Sequence, residues 1–473
     1  MKRSTFLRQS AVISGGILLT KDVLGSSSHD FPEVRVPPAQ RKFTSEAVEK
    51  AIIQFKSKAK NKELGWLFEN CFPNTLDTTV DFEIIDGRPD TYVITGDIDA
   101  MWLRDSTAQV WPYLWLIKED DKLKQLVAGV ISRQAKNILL DPYANAFYKD
   151  TTKESHWKSD LTDMKPGIHE RKWEIDSLCY PIRLSYHYWK ITGDKTPFDK
   201  QWKEAMLLII KTFKEQQRKK DKGPYKFQRK TSWATDGVPL GGYGYPAKPV
   251  GLIYSMFRPS DDATIYPFLI PSNFFAVVSL RQAGEMLQAI HSDAASAANE
   301  CHAMAKEVET ALQQYAITTH PKFGKVYAYE INGFGSYNLM DDANVPSLLS
   351  LPYLGALKNT DPVYMNTRAL LLSEYNPFFF KGKAGEGIGG PHAGTDLIWP
   401  LSIIIRALTS NDDNEIRKCI GILQQSHAGT GFMHETFHKD DVTKFTRKWF
   451  AWANTIFGEL LHKTFEYKPY LLV

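Results

Sequence analysis

Cysteine is scarce in this 473-residue chain: Cys71, Cys179, Cys301 and Cys419 stand far apart and form no pairwise motif. That spacing indicates neither a disulfide framework nor a cysteine-based metal site. Three of the four fall on or near apolar helical faces, where a free thiol packs as a small hydrophobe. Charge of one sign is lacking too, since 58 Lys and Arg against 54 Asp and Glu leave a net +4 with no basic stripe. Nucleic acid and membrane-surface partners are therefore not expected. Beyond the N-terminus no apolar run is long enough to span a bilayer, and neither a domain linker nor an internal repeat is visible.

Aromatic residues, by contrast, are plentiful: 12 Trp, 21 Tyr and 26 Phe, many beside polar residues. Such a mixture suits sugar rings, whose C–H faces stack on aromatics while their hydroxyls need donors and acceptors. It equally suits an aromatic core. With 43% hydrophobic and 24% charged residues, the composition is that of a globular protein able to bury a large core.

Helical patterns run the length of the chain. One opens at Phe43-Thr44-Ser45-Glu46, with Thr44 as the expected cap and Phe43 stapled onto Val48. Others start at Asp121, around Leu178, at Thr196-Pro197, Ser272 or Asn273, Ser292, Asp361-Pro362, Thr395, Asn411 and Arg447, about a dozen in all. β structure is confined to a hairpin turning at Asp86-Gly87 and a segment from Lys325 to Ile331. Long polar loops rich in Gly, Trp and Asp separate the helices. The pattern predicts helical hairpins arranged in a ring, with the loops gathered at one end to form the site.

The densest loop runs from Ile94 to Gln109, where Asp97, Asp99, Trp102, Arg104 and Asp105 fall within nine residues. It lies between the hairpin and a helical pattern carrying Ala108, Trp111 and Trp115. A helix cap explains Asp105 or Ser106 but leaves Asp97, Asp99 and Arg104 unused, so a site at a strand-to-helix junction is expected. A second stretch leads from Thr235-Asp236-Gly237 through a Gly/Tyr loop to Phe257-Arg258-Pro259-Ser260-Asp261-Asp262-Ala263. A third, Tyr337 to Pro346, has a similar Asp-Asp-Ala core with Asp341, Asp342 and Asn344. The fourth, Gly385 to Gly394, sets His392 among glycines that let a ligand approach the backbone. No Gly-Lys-Ser/Thr follows it, which argues against a phosphate cradle.

The fifth stretch, Gly429 to Asp441, contains His434-Glu435-Thr436-Phe437-His438, a formal His-Glu-x-x-His. On a helix His434 and His438 would share a face and bind zinc, with Glu435 as the base of a peptidase and Glu459 as a third ligand. The Gly-Thr-Gly before the motif and Asp440-Asp441 after it do not belong to a sustained amphipathic helix, so a metal is not expected.

Taken together, Gly96-Asp-Ile-Asp-Ala-Met-Trp-Leu-Arg-Asp-Ser106, Phe257-Arg-Pro-Ser-Asp-Asp-Ala263, Ile388-Gly-Gly-Pro-His392 and Gly431-Phe-Met-His-Glu435 resemble glycoside hydrolase family 125, the inverting exo-acting α-1,6-mannosidases. The resemblance extends in one order across most of residues 40–465. It implies an all-α (α/α)6 toroid of about twelve helices, in line with the helical pattern. It also implies hydrolysis of terminal α-1,6-linked mannose from mannosides or N-glycan fragments, with no metal or other cofactor. By the same resemblance Glu435 is the general base and an aspartate of the Asp261-Asp262 pair the general acid. Asp262 is taken as the acid, although the sequence alone does not separate the two. Inversion sets the catalytic carboxyls about 6.5–9.5 Å apart, with a water between, and repulsion between adjacent aspartates would help to keep one protonated. Asp97, Asp99, Arg104, Asp105, Arg258, Asp261, Asp342, Asn344, His392 and His434 are the expected contacts for mannose. Trp102 is the expected stacking wall, with Trp449 or Trp452 as further aromatics.

At the N-terminus Lys2, Arg3 and Arg8 precede an apolar run, Ala11 to Leu19, and then Ser26-Ser27-Ser28. That order reads as an export signal over 1–28, with a single catalytic domain over 29–473 and a bacterial periplasmic location. Two other classes stay open on the sequence: a zinc metallopeptidase at His434, Glu435 and His438, and a non-catalytic mannoside-binding protein.

Overall fold

Capped amphipathic helices make the frame. The computed structural model describes residues 31–472, and thirteen α-helices lie among them. They are α1 (Glu46–Lys58), α2 (Lys62–Cys71), α3 (Asn74–Thr78), α4 (Leu103–Val110), α5 (Asp121–Leu140), α6 (Ile175–Thr192), α7 (Lys200–Gln216), α8 (Ile270–Ile290), α9 (Ala295–Tyr315), α10 (Pro362–Leu371), α11 (Pro400–Leu408), α12 (Asp413–Ser426) and α13 (Ala451–Tyr467). Asp120, Asp199, Asp361 and Asp412 open α5, α7, α10 and α12 by accepting first-turn N–H groups. Gly193, at φ 69°, stops α6.

Some expected starts shift. Ser45 rather than Thr44 caps α1, accepting from Val48 N at 3.3 Å. Helix α8 begins at Ile270, ahead of Ser272, and α11 at Pro400 rather than Thr395. Each has proline in its first turn, where the missing N–H costs nothing. Asp105 and Ser106 lie inside α4, not at its cap.

The helices form an (α/α)6 toroid within Val34–Val473. Helices α4, α6 and α8 pack side by side in an inner ring with α11 and α13, and the outer helices back them. Ahead of α10 the chain crosses 345–356 in turns rather than as a helix, buried from Val345 to Leu351. Asp341 satisfies that irregular backbone by accepting from Leu348 N (2.8 Å) and Leu349 N (2.9 Å). Tyr180 of α6 and Tyr364 of α10 donate to the carbonyls of Val345 and Leu349. The ring closes where α13 packs on α2, α3 and α4. All four cysteines are free and buried, and no described helix is long and apolar enough to cross a membrane.

Short strands tie the loops together. The hairpin β1 (Val80–Ile85) and β2 (Arg88–Val93) turns at Asp86-Gly87, both with positive φ. Strands β3 (Met101–Trp102), β4 (Ala146–Phe147) and β5 (Ile168–Glu170) form one sheet. Strands β6 (Phe268–Leu269), β9 (Glu330–Ile331) and β10 (Tyr337–Asn338) form another, and β7 (Ile317–His320) pairs with β8 (Gly324–Tyr327). Strand β11 (Phe379–Lys381) pairs with β12 (Glu386–Ile388), and β13 (Leu397–Ile398), β14 (Thr436–His438) and β15 (Asp441–Thr446) make the last sheet.

Candidate active site

Strand β3 runs directly into α4, and the junction turns Arg104 inward until only 3% of it is exposed. Its Nη1 donates to Glu174 Oε2 (2.7 Å) and Asp176 Oδ2 (3.0 Å), and its Nη2 to Asp261 Oδ1 (3.0 Å). Its Nε lies 3.6 Å from Asp105 Oδ2. Four carboxyls around one buried guanidinium cannot all ionise cheaply. Burial, which Arg104 only partly offsets, carries Glu174 well above the carboxylate range, raises Asp176 and brings Asp105 to about 6. Burial alone would raise Asp261 as well, but Arg104 and Lys172 outweigh it and hold that carboxylate low.

Asp261 adopts a left-handed backbone, φ 64°, which costs energy for any side chain but glycine. The turn sends the two neighbouring aspartates different ways. Asp262 is buried, accepts from Thr235 Oγ1 (2.8 Å) and Ser260 Oγ (3.3 Å), and stands 3.6 Å from His392 Nδ1. Each aspartate thus has its own positive and hydrogen-bonding partners, and the expected repulsion between them does not leave one protonated. Asp262 lies below its ordinary value, burial being outweighed chiefly by His392 and Thr235.

Ser260 Oγ also reaches Asp342 Oδ2 at 2.8 Å, and Asp342 accepts the backbone and side-chain N–H groups of Asn344 at 3.1 and 3.2 Å. Ala343 N donates to Gly389 O (3.0 Å), which brings in the glycine loop that carries His392. A Cβ at Gly390 would sit 3.1 Å from Asp342 Oδ1, a tight contact that glycine avoids. Arg258, buried with its Nε donating to Glu330 Oε1 (2.6 Å), faces Asp342 and pulls down a carboxyl that burial raises.

Glu435 lies just before β14. Thr446 Oγ1 donates to its Oε2 (2.9 Å), and Arg447 Nη1 lies 3.5 Å from its Oε1. Arg447, at φ 43°, also donates through Nε to Asp97 Oδ1 (2.8 Å) and through Nη2 to Thr95 Oγ1 (3.1 Å). Gly96 permits this meeting: its φ is 130°, and a Cβ there would lie 2.3 Å from the Trp449 carbonyl oxygen. Asp105 feels both Arg104 and Arg447, so it joins the acid-rich and Glu435 sides of the site.

Other expected residues lie elsewhere. The Asp99 side chain is 75% exposed, with Lys153 at 3.6 Å. Trp102 is buried with Ala100 and Ala146 and meets His169 edge-on at 5.1 Å, so it serves as wall rather than open stacking face. Trp452 is buried on α13. His434 stacks on Phe445 at 3.7 Å, with Nε2 3.2 Å from Thr430 Oγ1. The His434–His438 motif occupies a loop and strand β14, so its histidines share no helical face, while Glu459 is held by Tyr353 and Lys463. Among the described residues no three His, Cys, Asp or Glu are placed to hold a metal ion.

Sequence reasoning missed Glu174, Asp176, Thr235, Thr446 and Arg447. Trp173-Glu174-Ile175-Asp176-Ser177 reads as an acidic helix start complementing the dipole, and nothing local tells that Arg104 faces it.

The model of the family described as metal-independent alpha-mannosidase (GH125) matches residues 61–462. The Meiotically up-regulated gene 157 protein of Schizosaccharomyces pombe is 44% identical over 460 residues, covering 93% of this chain and 90% of that protein. A metal-independent α-mannosidase of Streptococcus pneumoniae, solved in a non-productive complex with α-1,6-mannobiose, superposes with a TM-score of 0.86 at 41% identity, over 90% of this chain and 100% of that one. A bacterial glucoamylase complexed with acarbose shares the fold at TM-score 0.52 and 15% identity, over 90% of this chain and 57% of that one. The fission yeast relative overturns the expected bacterial periplasmic location. A basic-then-apolar N-terminus is not peculiar to bacteria, and residues 1–28 lie outside those described.

Proposed function

The chain belongs to glycoside hydrolase family 125, the metal-independent α-mannosidases, and from that premise we propose that it removes terminal α-1,6-linked mannose from mannosides and N-glycan fragments with inversion. Asp262 is the general acid and Glu435 the general base. The observation that carries this reading is the separate support of two buried carboxyls. Thr235, Ser260 and His392 surround Asp262, whereas Thr446 and Arg447 hold Glu435. The α-1,6-mannobiose bound by the Streptococcus pneumoniae relative supports the linkage.

Asp262 gives its proton to the leaving oxygen as the bond from C1 breaks. Glu435 takes a proton from the water that attacks C1 from the other face, at a carboxyl separation of about 6.5–9.5 Å. In the free site His392 and Thr235 hold Asp262 low against its burial. A mannose hydroxyl that engages His392 weakens this hold, so burial restores the proton as substrate arrives. Arg104, Asp105, Asp261, Asp342 and Asn344 supply further partners for the hydroxyls.

The test is incubation with α-1,6-mannobiose, with and without a strong chelator, following the first-formed anomer by NMR. β-Mannose released in both conditions is expected. α-Mannose would overturn inversion, loss on chelation would overturn metal-free catalysis, and binding without release would make the protein a mannoside binder.

A further inference from the structure

We propose that Glu174 is a protonated positioning residue whose carboxyl donates a hydrogen bond to Asp261, keeping that carboxylate ionised and aimed at mannose. The role in positioning rests on the mannosidase reading above. Glu174 is fully buried at the start of α6. Its Oε2 accepts from Arg104 Nη1 (2.7 Å) and Ser177 Oγ (2.7 Å), while among the described residues no donor reaches Oε1. The Asp261 carboxyl lies within hydrogen-bonding reach of Glu174 instead. Two carboxyls facing each other away from water need a proton between them.

The surrounding groups decide which carboxyl holds it. Arg104 and Asp105 face the pair from α4, and Asp176 from α6. Asn145 Nδ2 donates to Asp261 Oδ1 (3.4 Å) and Lys172 Nζ to the Asp261 carbonyl (2.8 Å), with Glu170 close by. Asp261 therefore has Arg104, Asn145 and Lys172 near its charge, and 19% of its side chain is exposed. Asp176 stands in the first turn of α6, where the helix dipole favours a charge. Glu174 shares Arg104 and the helix start, but it is wholly shut off from water and among the described residues has no second cation beside it, so it keeps the proton.

Three forms of the full chain test this: wild type, Glu174→Gln, which retains a donor, and Glu174→Met, which fills the space without one. Melting temperatures close to wild type certify folding. Glu174→Gln is expected to keep kcat/KM on α-1,6-mannobiose within about threefold, with an unchanged pH profile. Glu174→Met is expected to lose about ten- to hundredfold, mainly through KM, the worth of a hydrogen bond to a charged group. Infrared difference spectra at neutral pH should show a carboxylic acid C=O band in wild type that Glu174→Gln lacks. A tenfold loss or shifted pH profile in the Gln variant, equal activity of the Gln and Met variants, or no difference band would each overturn the proposal. The infrared arm decides the proton even if wild type leaves mannobiose intact, which separates this failure from failure of the mannosidase reading.

Discussion

In the proposed mechanism Asp262 and Glu435 carry the two proton transfers, and their amide variants isolate them. Asp262→Asn and Glu435→Gln are each expected to lower kcat by about 10²–10⁴-fold while mannobiose still binds in calorimetry. His392 offers a sharper test, because it lowers Asp262 against the effect of burial. Replacing His392 with Gln should lift the acid's pKa and move the alkaline limb of the kcat/KM profile to higher pH, besides weakening binding. Asp105 predicts a pH effect on stability. Burial lifts its folded pKa to about 6, above the ordinary aspartate value, so the folded state binds the proton more tightly. The stability this confers is complete below about pH 4 and is lost as pH rises through 6, an effect of order 2–3 kcal/mol. Melting curves between pH 4 and 7 should therefore slope less in Asp105→Asn than in wild type.

At the scale of elements, the site is built from junctions. The step from β3 into α4 was legible, because an alternating hairpin followed by Ala108 and Trp111 marks a strand giving way to a helix. The supports of Glu435 were not, because Thr446 and Arg447 follow it in an unremarkable polar run and reach it only when β15 folds back on β14. Gly96 is where this side of the site meets the chain ahead of α13. Gly96→Ala would force a Cβ against the Trp449 carbonyl in a left-handed backbone, so a loss of about 2–4 kcal/mol in urea unfolding is expected. Activity should fall further than stability, since Asp97 and Arg447 part with it.

Over the whole molecule, closure of the ring is the decisive contact. Gly458 of α13 lies so close to Phe72 that a Cβ there would meet its ring at 2.6 Å, and α13 also packs on α3 and α4. Removing residues 451–473 should uncover the inner faces at both ends of the ring and replace cooperative thermal unfolding with a broad, dye-binding transition.

The sequence by itself determined the helical ring and the five polar stretches that feed the site, because periodicity, caps and residue chemistry are local properties. It also carried the family, through motifs spread over most of the chain. Only the tertiary structure decided which charge answers which. Arg104 meets an aspartate 157 positions away, and Arg447 one 350 positions away. Coulomb and hydrogen-bond energies depend on distance in space and on burial, neither of which the order of residues records. For the same reason the His-Glu-x-x-His motif misleads as a string: its two histidines fall in a loop and a strand, and its glutamate turns to Thr446 and Arg447.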